Sequence, residues 1–229
     1  MPFQVTRMSI RRFVAALLLF AAPSLALAQE GRVIGDSLGV GVNWAAKLPS
    51  TAKNSVAIYS GAVLDQLRQA KKGETVFMSL GTNDAVGGAL DVKARVQAIV
   101  ATADQLGVKL VWMGPPCVLK PWETYSKKLD EILKDELAGT SVIYVSMQDA
   151  TFCDPSIHAA EGVHFGMAGY TRMWQKAATA AGFPVVVASA SEPKAAAPGG
   201  RTTPAKKKRH HRRKHTVAEP APAAPPAPN

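Results

Sequence analysis

Cysteine is scarce in this chain. Only Cys117 and Cys153 occur among 229 residues, and neither stands in a Cys-x-x-Cys pair or a His-rich cluster. That argues against a zinc site and leaves two alternatives, one bridge in an exported chain or two separate buried thiols. Long apolar runs are missing too. The one uninterrupted run, residues 13–22, is shorter than the roughly 18–20 residues that a membrane span needs. Arg7, Arg11 and Arg12 precede it and Ala26-Leu27-Ala28 follows, the layout of a secretory signal peptide over residues 1–28 with Gln29 as the mature N-terminus. The Arg pair matches a twin-arginine signal only loosely, because Ser9 does not directly precede it. At the other end, residues 189–229 hold no aromatic residue and almost nothing to bury, so this Ala/Pro-rich basic tail is expected to be disordered.

Excess charge is also missing from the middle. The formal charge of +10 resides in the two ends: three Arg in the first segment, and nine Lys/Arg against Glu192 and Glu219 in the tail. Between them stand fifteen basic and fifteen acidic residues, so the central segment is close to neutral and is not a basic nucleic-acid-binding domain. Its roughly 160 residues suit one domain with a core of its own.

Within residues 29–188, short β-rich apolar runs alternate with helix-period segments. Strands are predicted at 32–35, 55–59, 75–80, 109–113 and 142–145. Val92, Val96, Ile99, Val100 and Ala103 mark one side of a helix, and so do Tyr125, Leu129, Ile132, Leu133 and Leu137. Val63, Leu64 and Leu67 mark a shorter helix, and Tyr170, Met173, Trp174, Ala177 and Ala181 a last one. Alternation of this kind, with nearly continuous apolar strands, predicts an α/β fold: a three-layer α/β/α sandwich around a five-stranded parallel sheet. In such sheets functional groups gather in loops at the carboxyl ends of the strands. Asp36-Ser37, Gly61, Gly81-Thr82-Asn83-Asp84 and the segment around His164 all fall in such loops.

Ser37 lies between Gly35 and Gly39 where a strand turns into a helix. Its hydroxyl can serve as a nucleophile if a base takes its proton, or it can simply cap the helix. Asn83 can offer a side-chain amide to a developing oxyanion, or Gly81-Thr82-Asn83-Asp84 can be only a turn. Of five histidines, His210, His211 and His215 lie in the tail, so His164 is the candidate base and His158 its one competitor.

Taken in order, Gly35-Asp36-Ser37-Leu38-Gly39, Gly61, Gly81-Thr82-Asn83-Asp84, and Glu161-Gly162-Val163-His164-Phe165 with Gly169-Tyr170 resemble the SGNH hydrolases of the GDSL esterase type. The G-x-S-x-G elbow of α/β-hydrolases is a rival for the first block, but that elbow follows a central strand, whereas Ser37 follows the first. The resemblance runs from Gly35 to Trp174. It implies a flavodoxin-like fold, Ser37 as nucleophile, His164 as base, and an oxyanion site made of Asn83 and the N–H groups of Gly61 and Ser37. It implies no metal or organic cofactor. The family usually has aspartate where this chain has Glu161; the orienting acid is therefore Glu161, with Asp154 as the alternative and a Ser37–His164 dyad as a third arrangement.

The resemblance, together with the signal peptide, thus predicts an exported serine esterase, periplasmic or secreted, that hydrolyses acyl esters of glycans, lipids or small molecules through an acyl-enzyme. Acetylated envelope glycans are the expected substrate. A lysophospholipase or thioesterase is the alternative within the family, and a non-catalytic glycan-binding relic the alternative outside it. The basic cluster at residues 206–214 supplies phosphate affinity in principle, but export separates it from nucleic acid. Anionic envelope polymers and lipid head groups are its expected partners.

Overall fold

A computed structural model of the chain describes residues 30–185; the predicted signal peptide and basic tail lie outside the described residues. Four parallel strands, β1 (Gly31–Gly35), β2 (Thr75–Ser79), β3 (Lys109–Met113) and β4 (Ile143–Val145), lie in that spatial order. Helices α1 (Ser37–Ala46), α2 (Ala62–Leu67), α3 (Thr82–Val86), α4 (Lys93–Leu106), α5 (Glu123–Leu137) and α6 (Met167–Ala181) connect and follow them. Among the described residues no helix is long and apolar enough to cross a membrane.

Strand side chains alternate between two faces, and each face has its own core. Ile34, Val76, Met78, Leu110 and Trp112 meet Val63 and Leu67 of α2, Val96 and Ile99 of α4, and Leu129 and Leu133 of α5. Val33, Phe77, Val111 and Val145 meet Leu38 and Val42 of α1 and Met173, Trp174 and Ala177 of α6. These are the three predicted layers, and the strands are apolar on both faces because helices cover both.

The sheet has four strands where five were expected, because residues 55–59 form turns. Val56, Ala57 and Ile58 are buried as their composition demanded, but most of their backbone bonds go to side chains and none to a strand. The Ile58 and Tyr59 N–H groups donate to the Asp84 carboxylate, and the Val56 carbonyl accepts from Asn83. The outer edge of β1 pairs instead with residues 49–53: Val33 N–H donates to the Pro49 carbonyl at 3.0 Å, Thr51 N–H to Val33 at 3.1 Å, and Lys53 N–H to Gly35 at 3.0 Å. Counting that short edge, the strand order is the 2-1-3-4-5 of flavodoxin-like sheets.

Candidate active site

The β1–α1 turn comes first. Gly35 has φ +111°, and a Cβ there would lie 1.9 Å from the Ser79 carbonyl oxygen. Only glycine lets β1 pass so close to β2 and still turn into the helix. Asp36 then caps α1: its Oδ1 accepts from Leu38 N–H at 3.0 Å, Gly39 N–H at 3.3 Å and Ser79 Oγ at 3.1 Å. Ser37 is the first residue of α1, where a backbone N–H has no intrahelical acceptor. Its hydroxyl reaches across the molecule to His164, with Oγ 2.9 Å from Nε2.

His164 sits in a compact hairpin just before α6. Ala159 N–H donates to the His164 carbonyl at 2.8 Å and Gly166 N–H to Ile157 at 2.8 Å. Glu161 folds back three residues, so that its Oε1 lies 2.7 Å from the His164 backbone nitrogen and 2.7 Å from ring Nδ1. A carboxylate only accepts, so Nδ1 carries the ring proton and Nε2 faces the serine as an acceptor. Slight burial raises the Glu161 pKa, but the bonds from His164 outweigh it and hold the carboxyl below its usual range. Asp154 is elsewhere: it caps the 3-10 turn Pro155–Ile157 through Ser156 N–H at 2.9 Å. His158 is also engaged, donating from Nε2 to the Phe152 carbonyl at 2.8 Å and packing on Phe165.

The other loops converge on the same sheet edge. Gly81, with φ +120°, turns β2 into α3 against Pro115. Asn83 follows in the first turn of α3, half-buried. One amide hydrogen goes to the Val56 carbonyl at 2.8 Å, and no other acceptor for that amide is found among the described residues. Gly61 is exposed and forms the N-cap of α2. Cys117, in the loop after β3, is disulfide-bonded to Cys153, with the Cα atoms 5.2 Å apart. Two residues on, Leu119 N–H donates to the Gly162 carbonyl at 2.7 Å, so the bridge and this bond tie the β3 loop to the His164 hairpin. Among the described residues no group of three or more His, Cys, Asp or Glu gathers to hold a metal.

Two side chains at this edge had been given no role of their own in the sequence. Asp84 belongs to the Gly81-Thr82-Asn83-Asp84 block but is completely buried. Gln66 lies one turn from Val63 on the inward face of α2, and a polar residue on such a face is a signal of its own. It forms two hydrogen bonds with Gly35.

No protein-family model and no curated protein matches the chain. Solved structures do. A lipolytic protein of the G-D-S-L family from Desulfitobacterium hafniense is similar at TM-score 0.54 and 16% identity, over 66% of this chain and 99% of that one. An acetyl-xylooligosaccharide esterase from Geobacillus stearothermophilus gives 0.53 and 18%, over 68% and 95%. The C-terminal catalytic domain of a Streptococcus pneumoniae peptidoglycan O-acetyltransferase gives 0.52 and 21%, over 69% and 97%. Nearly the whole length of each is matched by about two thirds of this chain, which therefore shares their fold.

Proposed function

We propose that this chain is an exported serine esterase that hydrolyses acyl esters, with acetylated envelope glycan as its substrate. The observation that carries the reading is the continuous hydrogen-bonded chain Glu161–His164–Ser37, with lengths of 2.7 and 2.9 Å. In the forward step Ser37 Oγ attacks the ester carbonyl carbon while its proton passes to His164 Nε2. Glu161 keeps the ring in its tautomer and stabilises the imidazolium. The carbonyl oxygen becomes an oxyanion that receives the N–H groups of Ser37 and Gly61 and the free amide hydrogen of Asn83. Collapse expels the alcohol, which takes the proton from Nε2. Water then repeats the sequence on the acyl-enzyme, releasing the acid and restoring Ser37.

Two features support the acetylated-glycan part. The structures similar to this chain include enzymes whose names specify acetylated oligosaccharide and peptidoglycan. The disulfide between Cys117 and Cys153 suits an oxidising, exported setting, in keeping with the signal peptide read at residues 1–28. A second reading, lysophospholipid or thioester hydrolysis, is favoured by exposed apolar side chains on the loops and helix ends flanking the site. Tyr59 and Val86 stand beside the Asn83 elements, and Leu119 and Met167 beside the His164 hairpin.

A panel of p-nitrophenyl esters from acetate to palmitate, run with wild type and Ser37→Ala, tests both. The glycan reading expects the highest kcat/KM on acetate and release of acetate from O-acetylated peptidoglycan. An optimum at long chains favours the second reading. Turnover that survives in Ser37→Ala removes the esterase assignment altogether.

A further inference from the structure

Two buried polar side chains that take no part in the proton relay join the elements bearing the three oxyanion donors. Gln66, 3% exposed, closes a pair of hydrogen bonds on Gly35: Gly35 N–H donates to Oε1 at 2.7 Å, and Nε2 donates to the Gly35 carbonyl at 3.1 Å. Gly35 is two residues before Ser37. Gln66 rides on α2, whose N-cap is Gly61, so the helix that grips the nucleophile's turn also presents Gly61. On the other side, Asp84 accepts Ile58 N–H at 2.9 Å on Oδ2 and 3.1 Å on Oδ1, and Tyr59 N–H at 3.4 Å. Its neighbour Asn83 holds the Val56 carbonyl at 2.8 Å. The segment so gripped runs through Ser60, whose hydroxyl bonds the Ala57 carbonyl at 2.9 Å, straight into Gly61.

We propose that Gln66 and Asp84 are positioning residues of the oxyanion site, which lock Ser37, Gly61 and Asn83 into a single unit. The inference rests on the esterase reading above. Its logic is geometric. Oxyanion donors work only when held about 2.7–3.1 Å from where the charge forms, and the three donors here sit on separate elements, the β1–α1 turn, α2 and α3. Bonds confined to one element cannot set the distances between elements; Gln66 bridges the first to the second, and Asp84 ties the third to the turn that leads into Gly61 at the start of the second. Burial pushes the Asp84 carboxyl pKa up, against the bonds from Ile58 and Tyr59, and no cation is paired with it among the described residues. A side chain kept for packing alone carries no such cost.

The test uses mature enzyme with Asp84→Asn and Gln66→Met, which keep size and remove the second acceptor or the amide. Kinetics on p-nitrophenyl acetate are paired with inhibition by phenylboronic acid, which forms a tetrahedral adduct on the serine and places an oxygen where the oxyanion forms. Each variant is expected to lower kcat by about 10- to 100-fold, the scale of a misplaced donor, with KM within about threefold, and to weaken the boronate Ki by a similar factor. Loss of folded enzyme would instead lower kcat in step with the active sites titrated and leave Ki unchanged, which overturns the proposal. Wild-type kcat and Ki in both variants overturn it as well. If Asp84→Asn does not fold, Gln66→Met carries the same readout; if neither folds, both residues serve the fold and the proposal falls. Activity persisting in Ser37→Ala would sink the esterase reading, whereas an inactive Ser37→Ala beside unaffected Gln66 and Asp84 variants sinks only this inference.

Discussion

Replacing Asp36 by Asn should remove a pH dependence of stability that the wild-type fold carries in its active edge. Asp36 is completely buried. Its Oδ1 accepts three hydrogen bonds while Oδ2 has no partner among the described residues. Burial raises its pKa, the bonds from Gly39, Ser79 and Leu38 lower it, and the nearby Asp84 charge raises it again; the result is about 7 against an ordinary 3.8. The folded state therefore binds a proton more tightly than the unfolded chain. Between pH 3.8 and 7 the folded protein holds that proton while the unfolded chain has released it, so this group makes stability fall as pH rises through the window and flatten above it. At about 1.4 kcal/mol per pH unit, the whole window is worth about 4 kcal/mol. Asn keeps an acceptor for Leu38 and Gly39 and cannot ionise. Urea unfolding of both proteins from pH 4 to 8 gives the difference directly, and other titrating groups largely cancel in it. Relative to wild type, Asp36→Asn should gain steadily from pH 4 to 7 and then hold constant, a midpoint shift of about 2 M for an m value near 2 kcal/mol/M. A difference that stays level across that range refutes the argument, because it would mean that Asp36 titrates alike in the folded and unfolded chain.

Three further outcomes are expected. Glu161→Gln should lower kcat strongly while Asp154→Asn leaves it nearly unchanged, since only Glu161 bonds His164; steady-state kinetics giving the reverse ranking would move the orienting role to Asp154. Replacing Cys117 and Cys153 by Ser should cost about 4 kcal/mol in urea unfolding for a separation of 36 residues, and reducing the native protein should lower esterase activity, because the bridge braces the His164 hairpin. Deleting residues 189–229 should leave kcat/KM on a small ester unchanged and weaken co-sedimentation with cell-wall or anionic-lipid preparations at low salt only, as expected for attraction screened within roughly 8–10 Å.

How much of this was legible depends on the range over which each feature is decided. The helices could be read because their apolar periods are local: Val96, Ile99 and Ala103 are buried on α4, and Leu129, Leu133 and Leu137 on α5. Residues 55–59 were misread because a β-rich apolar run reports burial and says nothing about where the backbone bonds go. The true edge, residues 49–53, gave no apolar signal since Ser50 and Lys53 face solvent, as edge positions often do. Pro49 is tolerated there because the ladder uses only its carbonyl.

The candidate site divides in the same way. Ser37, Asn83 and His164 lie in short blocks whose neighbours, Gly35, Gly81 and Glu161, shape the local turn, so each block announces itself. The distance between blocks is another matter. Ser37 and His164 are 127 positions apart, and their meeting depends on α1 packing on α6 through Leu38, Val42, Met173 and Trp174. Those residues read only as generic core. The contacts of Gln66 and Asp84 are harder still, since their partners lie 31 and 26 positions away; Gln66 stands outside every block, and the block that contains Asp84 does not say what its carboxylate holds. Local motifs supply the reacting groups, whereas long-range buried bonds set the tolerances between them. On the reading proposed above, a chain that kept every block but lost Gln66 would look intact in sequence and have a poorly aligned oxyanion site.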